Sequence, residues 1–540
     1  MKTIAEFYAR NYKLYPDKLA FVFDDGRRYT FGQHMERVVA LSAALDRWGV
    51  GPRARLAVLA PTCAELVDWL GVAAATGRLL IPLNWRLSVR ETTMVLADAK
   101  PDVFVCHREH LELGLGAVAA LRVRREDETL SGKGSTVFVS AGTGDSGALE
   151  LTGHDHEALA SDRTDWEMKL NALHGHMSGV RPEDPLLVIY TSGTTGQPKG
   201  VVLDQGGQAA NSVIVMTEMA LTDDDSFYTC LPMFHIGATS LVINFFARGC
   251  TNYIDKRFDP DAWLDALERE HITCSVLVPS LVHQVLDRLE QRPRDLSNLR
   301  TLYYSGAPML EPDVRRALAK LGNVLYQAYG STETGPSICV LHKEDHTLTG
   351  AAQARLGSCG RPVADVMVEI RNDEGMETLP GEVGLVYVKS RAILVSYLSN
   401  PEATKESVRE GWVMTGDLAR SDTDGYIYLV GRKKDLIISG GENVLPGEVE
   451  ACICMLDGVQ DVAVVGLPDA TWGETVAALV VPKHGADLTI DDVLTFCKNE
   501  IAGYKKPRII KIVEELPRNT IGKVDKNRVR DVLKQHAGRR

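Results

Sequence analysis

Short apolar runs alternate with longer helix-like stretches through the first hundred residues. Runs that fit short strands occupy positions 19–23, 55–59, 79–82 and 103–106. Helical stretches follow Thr30 as far as Trp48, occupy 64–75, and follow Ser88 as far as Ala99, with both polar residues placed to cap a helix. Because strands that alternate with helices are typical of helix-covered sheets, the pattern predicts an α/β fold.

The pattern loosens over 126–179, where Gly, Ser, Asp and His residues are frequent. Positions 142–147 formally match the dinucleotide-binding motif GxGxxG. The stretch that follows, 148–153, is too short and glycine-broken for the helix whose N-terminus must meet a pyrophosphate, so a surface turn is favoured. His154 and His156 are likewise expected to be solvated loop residues rather than metal ligands.

The alternation of strands and helices resumes at Pro185 and continues to about Val430. A lysine-rich stretch at 431–435 then precedes a second set of elements. These are helices after Pro446 and Thr489, strands at 462–466 and 509–513, and a terminal helix at 526–535. The expected organisation is a large N-terminal domain of helix-covered β-sheets, 1–431, and a small α+β C-terminal domain, 432–540.

Composition narrows the class of protein. The chain has 540 residues, 45% of them hydrophobic, which is enough for more than one domain. Its net charge of −12 and the lack of a dense basic run argue against nucleic acid as a partner. Ten scattered cysteines favour a reduced cytosolic protein over a disulfide framework. No signal-peptide pattern or long apolar run is present, so a soluble, cytoplasmic protein without an integral membrane segment is expected.

The most informative stretch of the sequence lies at 187–200, where an apolar strand runs into TSGTTGQPKG. Glycines let backbone N–H groups turn towards an anion, hydroxyls add donors and Lys199 adds charge, so the composition suits a polyphosphate. A Walker A loop is excluded because Lys199 stands between Pro198 and Gly200. A flexible linker is disfavoured because apolar residues both enter and leave the loop.

This loop resembles the signature loop of the adenylate-forming superfamily, which includes acyl-CoA synthetases, nonribosomal peptide adenylation domains and luciferases. Further family motifs follow in family order. They are LPMFHIG at 231–237, SGAPM at 305–309, YQAYGSTET at 326–334, WVMTGD at 412–417, GGENV at 440–444 and PRNTIGKV at 517–524. The resemblance therefore covers 190–523, with a looser match over 3–102.

The resemblance implies that residues of these motifs bind ATP and its AMP moiety. They are Thr191, Ser192, Gly193, Thr194, Thr195, Gly196, Lys199, Gly306, Ala307, Pro308, Gln327, Ala328, Tyr329, Gly330, Asp417 and Arg432. In the family pattern Tyr329 would stack on adenine and Thr332 would bond the α-phosphate. Asp417 would hold the ribose hydroxyls, Glu333 would ligate Mg²⁺, and Lys523 would be the catalytic cation.

The resemblance also implies sites for the acid and for coenzyme A. His235 would place the carboxylate and gate the path to the pantetheine site. The expected acyl pocket comprises His235, Ile236, Gly306, Ala328 and Thr334. The resemblance implies that the C-terminal domain is mobile, with Lys434 as its hinge residue, and that Gly440, Gly441 and Glu442 form the pantetheine loop. Lys505 is left open between a CoA phosphate contact and an ordinary solvated surface.

Together these roles imply an ATP-dependent acid–CoA ligase that forms acyl-AMP and pyrophosphate, then acyl-CoA and AMP. ATP, Mg²⁺ and coenzyme A are expected, and the acid is left open among medium- or long-chain, aryl and ring-containing acids. An amine acceptor, as in an amide synthetase, or an oxygen acceptor, as in a luciferase, stays an alternative. A non-catalytic nucleotide-binding regulator is less favoured because Glu333 and Lys523 are both present. The oligomeric state is open, with a homodimer among the alternatives.

Overall fold

The computed structural model describes residues 1–125, 137–141, 154–192, 198–307, 309, 311–483, 485–518 and 524–537. Contacts along the backbone divide the chain into two compact units. Unit 1 comprises Met1–Val368 and Val388–Val413, and unit 2 comprises Glu369–Tyr387 and Met414–Arg540. This division concerns packing alone, and the boundary at 431/432 for a mobile domain stays a prediction.

The predicted strands and helices of the first hundred residues are confirmed. In chain order they are α1 (Ile4–Leu14), β1 (Leu19–Phe23), β2 (Arg28–Thr30), α2 (Phe31–Arg47), β3 (Arg55–Leu59), α3 (Ala64–Thr76), β4 (Leu79–Pro82), α4 (Val89–Ala99) and β5 (Val103–His107). Thr30 and Ser88 cap α2 and α4, each in a capping box closed by the side chain three residues later. A reciprocal cap satisfies two backbone donors, so the polar residue marks where the helix begins.

The middle of the chain continues the alternation. Its elements are α5 (Leu111–Arg125), β6 (Val137–Ala141), β7 (His154–Asp155), α6 (His156–Ala160), α7 (Trp166–Gly179), β8 (Pro185–Ser192), β9 (Pro198–Asp204), α8 (Gln205–Glu218), β10 (Ser226–Thr229), α9 (Ile236–Arg248), β11 (Thr251–Ile254), α10 (Pro260–Arg269), β12 (Cys274–Leu277), α11 (Pro279–Gln291), β13 (Thr301–Ser305), α12 (Glu311–Leu321), β14 (Leu325–Ser331), β15 (Gly335–Leu341) and β16 (Arg361–Pro362). Short 3₁₀ helices occur at Arg108–His110, Lys343–Asp345 and Ala351–Gly357.

The rest of the chain is richer in short strands. Its elements are β17 (Val366–Arg371), β18 (Gly384–Ser390), β19 (Ser396–Tyr397), α13 (Pro401–Ser407), β20 (Val408–Arg409), β21 (Trp412–Ser421), β22 (Ile427–Arg432), β23 (Ile437–Ser439), β24 (Glu442–Val444), α14 (Pro446–Cys454), β25 (Val459–Asp469), β26 (Gly473–Pro482), α15 (Ile490–Glu500), β27 (Ile509–Ile512) and α16 (Lys526–Ala537). A 3₁₀ turn covers Lys433–Asp435. The helices and strands predicted after residue 445 are confirmed.

Unit 1 is built on two mostly parallel sheets. The first joins described strands in the order β16-β15-β14-β13-β12-β10-β11-β1-β2, and the second in the order β19-β9-β8-β4-β3-β5-β6-β7. Neighbours from β10 to β14 pair in parallel, and so do β3, β4 and β5. Helices bury both faces of such sheets, which explains the runs of consecutive buried residues in these strands. The carboxyl ends of adjacent strands consequently lie side by side, where ligand sites of this architecture form.

Unit 2 carries a separate sheet in the order β24-β23-β26-β25, with β27 beside β26. Successive residues of β25 point to opposite faces and enter different cores. Val462 and Val464 pack with α14 and α15, whereas Ala463 and Val465 pack with α16. This part of unit 2 is therefore an α+β layer structure with helices on both faces of the sheet, in agreement with the predicted class. Unit 2 also shares a second sheet, in the order β17-β18-β21-β20 with β22 beside β21.

The segment 126–179 contains more regular structure than its sequence pattern indicates. The helix α7 was not predicted, because its buried side chains are only Lys169, Leu173 and Met177, spaced four residues apart on a mostly polar surface. The GxGxxG stretch at 142–147 lies outside the described residues, as does the side chain of His154. The expectation of a solvated His156 is wrong, because this residue begins α6 and is completely buried.

Asp68 holds His156 within a buried ionic cluster that ties together α2, α3 and α6. His156 Nε2 lies 3.0 Å from Asp68 Oδ2, and the Arg37 guanidinium lies 2.8 Å from the same oxygen. Arg37 also pairs with Glu157 at 2.7 Å. Burial by itself would raise the pKa of the Asp68 carboxyl, but Arg37 and the neighbouring histidines reverse the effect and hold that pKa well below its ordinary value.

We expect Asp68→Asn to lower the free energy of unfolding of unit 1 by about 3 kcal/mol, because it leaves the buried Arg37 without its fully buried counter-charge. Since the folded state lowers the pKa of Asp68, its contribution is present above the unfolded value of about 3.9 and is lost as pH falls below it. The difference in urea midpoint between Asp68→Asn and the unaltered protein should therefore be large at pH 7 and shrink towards pH 3.

Glu36→Gln is the matched control, because Glu36 also lies on α2 and pairs with an arginine, but at an exposed position. Its effect on the midpoint should stay within about 0.5 kcal/mol. Equal effects of the two substitutions at pH 7 would contradict a special role for the buried cluster.

Candidate active site

The two ends of the predicted phosphate loop are fixed by the β8–β9 hairpin. Thr191 and Lys199 are direct partners in its antiparallel register, and the Thr191 hydroxyl donates to the Lys199 carbonyl at 3.4 Å. Ser192 pairs with Pro198. The loop residues between these strands, Gly193, Thr194, Thr195 and Gly196, lie outside the described residues, as does the side chain of Ser192. The described part therefore brings a cation and a hydroxyl to the mouth of the loop.

A tight turn between β14 and β15 carries the next group of predicted site residues. Gln327, Ala328, Tyr329 and Gly330 lie on β14, which ends at Ser331, and Thr332, Glu333 and Thr334 form the turn. The Ser331 N–H donates to Thr334 Oγ1 at 3.0 Å, and the Glu333 N–H donates to Ser331 Oγ at 3.2 Å. A Cβ atom on Gly330 would lie 2.2 Å from the Gly335 carbonyl oxygen, so only glycine fits there.

The loop and the turn meet through Tyr397, which lies on β19 next to β9. The Tyr397 hydroxyl donates to Glu333 Oε1 at 3.3 Å, and the Lys199 ammonium lies 5.3 Å from the centre of the Tyr397 ring. Burial and then the Glu333 charge raise the pKa of Tyr397 to about 12, so its hydroxyl stays a donor. We call this arrangement the Lys199–Tyr397–Glu333 link.

Tyr397 is a candidate site residue that the sequence did not reveal. It lies within none of the family motifs quoted for this chain, and a lone Tyr on a two-residue strand is an ordinary core residue. Two contacts bring Tyr397 to the site. Tyr397 pairs with Val201 in the sheet, and the nearby Leu394 N–H donates to the Glu333 carbonyl at 2.8 Å. Both contacts are made by residues far apart in the sequence.

Gly306 and Ala307 lie at the end of β13, beside the Ala328 strand. Ser305 is the parallel partner of Ala328, so the segment that follows each strand leaves the sheet at the same edge. Gly306 has a φ of 87°, which favours glycine, and both Gly306 and Ala307 are exposed. Pro308 lies outside the described residues. The predicted adenine-side segments therefore come together.

His235 occupies the N-cap position of α9, and Ile236 is the first buried residue of that helix. The His235 ring lies 4.5 Å, centre to centre, from Phe234, whose ring makes an edge contact with Trp85. Trp85 in turn stacks on His110 with ring centres 5.3 Å apart. A group of aromatic rings thus adjoins the predicted carboxylate-placing histidine.

Unit 2 contains the predicted ribose-side pair. Asp417 and Arg432 are cross-strand partners on β21 and β22, and Arg432 Nε lies 3.0 Å from Asp417 Oδ1. The Asp417 N–H donates to Thr415 Oγ1 at 3.0 Å, which orients the start of the Asp417 side chain. Lys434 follows in the exposed 3₁₀ turn Lys433–Asp435. The structure thus brings Asp417 and Arg432 into direct contact.

The predicted pantetheine loop is the turn of the β23–β24 hairpin in unit 2. Gly440 and Gly441 have φ values of 64° and 85°, and the exposed Glu442 begins β24. The Gly440 N–H donates to the Trp472 carbonyl at 2.8 Å, and a Cβ on Gly440 would lie 2.7 Å from the Trp472 ring. Glycine is therefore required at this position for packing as well as for backbone conformation.

Lys505 lies in unit 2 and is ion-paired, since its ammonium lies 2.6 Å from Glu448 Oε1. The hydrogen bond to Glu448 raises the pKa of Lys505 and keeps it charged. A CoA phosphate would have to compete with this carboxylate for Lys505. Lys523, the predicted catalytic cation, lies outside the described residues.

Within the described ranges, ligand atoms of Cys63, Glu65 and His107 lie within 4.8 Å of one another and are buried. Glu65 is already bound in a bidentate way by Arg27, at 2.7 and 3.1 Å. Burial, followed by the Glu65 charge, raises the pKa of the Cys63 thiol well above its ordinary value. These contacts favour a guanidinium-paired, hydrogen-bonded cluster over a cation site.

Comparison with known proteins gives matches along the whole chain. The family profile described as AMP-binding enzyme matches residues 8–398, and the one described as AMP-binding enzyme C-terminal domain matches residues 448–523. An indoleacetate–CoA ligase of Aromatoleum aromaticum is 34% identical over 531 residues, covering 98% of both chains. A feruloyl-CoA synthase of an Amycolatopsis species is 34% identical over 94% of both chains.

Among solved structures, the amide bond synthetase McbA from Marinactinospora thermotolerans matches with a TM-score of 0.83 and 28% identity, covering 98% of this chain and 99% of that one. None of the described helices is both long and apolar enough to cross a bilayer.

We expect Tyr397→Phe to raise the Mg²⁺ concentration that gives half of the full ATP affinity by about two- to tenfold, the range for one lost hydrogen bond to a carboxylate. The phenylalanine keeps a ring beneath Lys199, so ATP affinity at saturating Mg²⁺ should change little. Tyr397→Leu removes the ring as well and should lower ATP affinity at every Mg²⁺ concentration. Calorimetric titration of ATP at several Mg²⁺ concentrations measures both effects.

Tyr190→Phe provides the control, because Tyr190 also donates its hydroxyl to a carboxylate, that of Asp98, at 2.6 Å. It should leave the Mg²⁺ dependence unchanged. If Tyr397→Phe and Tyr190→Phe behave alike, the hydroxyl of Tyr397 does not orient Glu333 for a metal ion.

Proposed function

Because the chain belongs to the AMP-binding enzyme family, we propose that it activates a carboxylic acid with ATP and transfers the acyl group to coenzyme A. The observation that carries the proposal is the Lys199–Tyr397–Glu333 link. A triphosphate needs a cation beside it and a carboxylate that can share a metal ion with it, and the link holds both in one place.

In the proposed first step, an oxygen of the substrate carboxylate attacks the α-phosphorus of ATP. The bond to the bridging oxygen of pyrophosphate breaks, and the products are acyl-AMP and pyrophosphate. Negative charge crowds together in this step, so preorganised cations and donors lower its barrier. Lys199, the loop amides, Thr332 and Lys523 are the proposed donors to the phosphate oxygens.

Glu333 fits the proposed Mg²⁺. It offers hard carboxylate oxygens, and one of them is oriented by the Tyr397 hydroxyl. Mg²⁺ in proteins is usually held by one or two carboxylates together with substrate phosphates, and a single glutamate meets that requirement. When bound, the ion would neutralise phosphate charge.

The remaining nucleotide contacts follow from the positions of the predicted residues. Tyr329 would stack on the adenine, with Gln327, Ala328, Gly330 and the segment 306–308 around it. Asp417 would accept both ribose hydroxyls through its two oxygens, while Arg432, already bound to Asp417, holds the carboxylate in place. These assignments rest on the family pattern and on the contacts described within each unit.

In the proposed second step, the thiol of coenzyme A attacks the acyl carbonyl carbon, the bond to the AMP oxygen breaks, and the thiol proton is lost to solvent or a base. Gly440, Gly441 and Glu442 would line the path of the pantetheine arm, whose thinness suits a glycine turn. Lys434 would be the hinge of a mobile domain spanning 432–540. Lys505 would meet a CoA phosphate only by exchanging its Glu448 partner.

We propose an aromatic acid as the substrate, with its carboxylate on a short side chain. The indoleacetate and feruloyl enzymes that this chain resembles are both named for such acids. The rings of Phe234 and Trp85 beside His235 suit the edge of an aromatic ring. Ile236, Gly306, Ala328 and Thr334 would complete the acyl pocket.

A second candidate function, amide synthesis, keeps the first step and replaces coenzyme A by an amine. It is favoured by the match to an amide bond synthetase over 98% of this chain. Coenzyme A remains the preferred acceptor because the relatives at 34% identity are named as CoA enzymes. A cytoplasmic location, a homodimer and the lack of a nucleic-acid partner stay predictions.

The test is mass spectrometry of the purified protein with Mg-ATP and a panel of arylacetic, cinnamic, benzoic and fatty acids, with and without coenzyme A. We expect acyl-CoA and AMP to form together, with arylacetic or cinnamic acids most active. If acyl-AMP forms but is consumed only when an amine is added, coenzyme A is not the acceptor and amide synthesis is the function. The absence of any acyl product would contradict acid activation itself.

We expect Lys523→Ala to slow acyl-AMP formation by on the order of 10² to 10³, the usual effect of losing one transition-state donor. Rapid-quench measurement of pyrophosphate release in a single turnover reports this step directly. Lys483→Ala is the control, because Lys483 is an exposed lysine of unit 2 whose ammonium pairs with the exposed Asp457. Equal rates of pyrophosphate release in the two variants would show that Lys523 does not stabilise the transition state of the first step.

A further inference from the structure

A chain of buried hydrogen bonds runs from Gln327 to the backbone of His342. The Tyr304 hydroxyl oxygen lies 3.1 Å from the Gln327 side-chain atom that is assigned as Oε1, and 2.9 Å from His346 Nε2. His346 Nδ1 in turn lies 2.8 Å from the His342 carbonyl oxygen. Tyr304, His346 and Gln327 are 1%, 4% and 7% exposed, so water has little access to these polar groups. We call these three side chains the amide relay.

The relay has a single consistent arrangement of protons when His346 is neutral. A carbonyl oxygen can only accept, so His346 must carry its proton on Nδ1 and present Nε2 as an acceptor. Tyr304 must then donate its one proton to His346. The Tyr304 oxygen can then only accept from Gln327, so the Gln327 amide must be turned over from its assigned orientation, with its NH₂ group facing Tyr304. The orientation of an amide group follows from such a network, because its oxygen and nitrogen are interchangeable in shape.

The neutral form of His346 is favoured by its surroundings. Burial lowers the pKa of His346 below its ordinary value, in spite of the hydrogen bond to the His342 carbonyl and the nearby charges of Asp345 and Glu344. This one tautomer of His346 decides which group donates and which accepts in each hydrogen bond of the amide relay.

Gln327 lies on the same face of the sheet as Tyr329 and Tyr304. Residues two apart on a strand point to the same face, and Gln327 is the register partner of Tyr304 on the neighbouring parallel strand. Because the NH₂ group is committed to Tyr304, the carbonyl oxygen of Gln327 is the end left to face the base that Tyr329 would stack on.

We propose that Tyr304 and His346 are positioning residues that make Gln327 a hydrogen-bond acceptor and thereby select adenine by its 6-amino group. This inference rests on the proposed function, since it takes the β14 end as the adenine site. The amino group of adenine donates to the Gln327 oxygen. A purine with a carbonyl at position 6 would instead place two acceptor oxygens against each other, leaving both unpaired.

ITP is the sharpest probe, because it differs from ATP chiefly in having oxygen in place of the 6-amino group. We expect the unaltered protein to bind Mg-ATP at least about tenfold more tightly than Mg-ITP, the order of one mispaired polar contact to a base. Tyr304→Phe frees the Gln327 amide to rotate. It should reduce the ATP-to-ITP affinity ratio by about tenfold, mainly by improving ITP binding.

Tyr303→Phe is the matched control. Tyr303 is the neighbouring residue on β13, is equally buried, and donates its hydroxyl towards Ser337 and the Pro336 carbonyl on the other face of the sheet. Loss of this hydroxyl should cost comparable stability and leave the ATP-to-ITP ratio unchanged. A merely structural role for Tyr304 would make the two variants alike.

His346→Leu tests the direction of the relay. Without the histidine acceptor, Tyr304 can donate to Gln327, so the amide should reverse and present its NH₂ to the base. We expect this variant to bind ITP at least as well as ATP. Affinities for both nucleotides are measured by calorimetry on the full chain, without any acid substrate.

The outcomes separate this inference from the proposed function. If the unaltered protein binds neither nucleotide, the ATP site and the inference both fail. If it prefers ATP and both variants keep that preference, the nucleotide site stands and the amide relay does not control it. A lower ratio in Tyr304→Phe and His346→Leu, but not in Tyr303→Phe, supports the relay.

Discussion

The turn from β14 to β15 is the constraint on which the candidate site depends. The chain reverses here so tightly that a Cβ atom on Gly330 would lie 2.2 Å from the Gly335 carbonyl oxygen, so the turn requires glycine at this position. The reversal puts Tyr329 on the strand and Glu333 in the turn, within a few residues of each other. Tyr329 and Glu333 can contact the base and the phosphates of one nucleotide only if the backbone between these two residues is fixed.

The candidate site also depends on the second sheet of unit 1, which contains Lys199 and Tyr397. Lys199 lies on β9 and Glu333 on the β14–β15 turn, and Tyr397 contacts both. One tyrosine thus uses its ring for the cation and its hydroxyl for the carboxylate, which keeps the two opposite charges close without a direct ion pair. A direct pair would occupy both groups, whereas this arrangement leaves Lys199 and one oxygen of Glu333 for a substrate and a metal ion.

Elements whose signals are local in sequence were predicted well. Thr30 and Ser88 marked helix starts because a capping box needs only residues three apart, and the paired Asp417 and Arg432 stand in recognisable motifs. His156 was misjudged because its partners, Asp68 and Arg37, lie 88 and 119 residues away in the sequence. Tyr397 and the Tyr304–His346 contact escaped notice for the same reason, since the partner residues lie 64 and 42 residues apart in the sequence.

The most direct measurement of the central claim is acid-dependent exchange of labelled pyrophosphate into ATP in the absence of coenzyme A. The account predicts exchange that requires both Mg²⁺ and an aromatic acid, because acyl-AMP forms reversibly from the carboxylate and ATP before any thiol is involved. ATP cleavage without exchange, or exchange that starts only when coenzyme A is added, would contradict an acyl-adenylate as the first product.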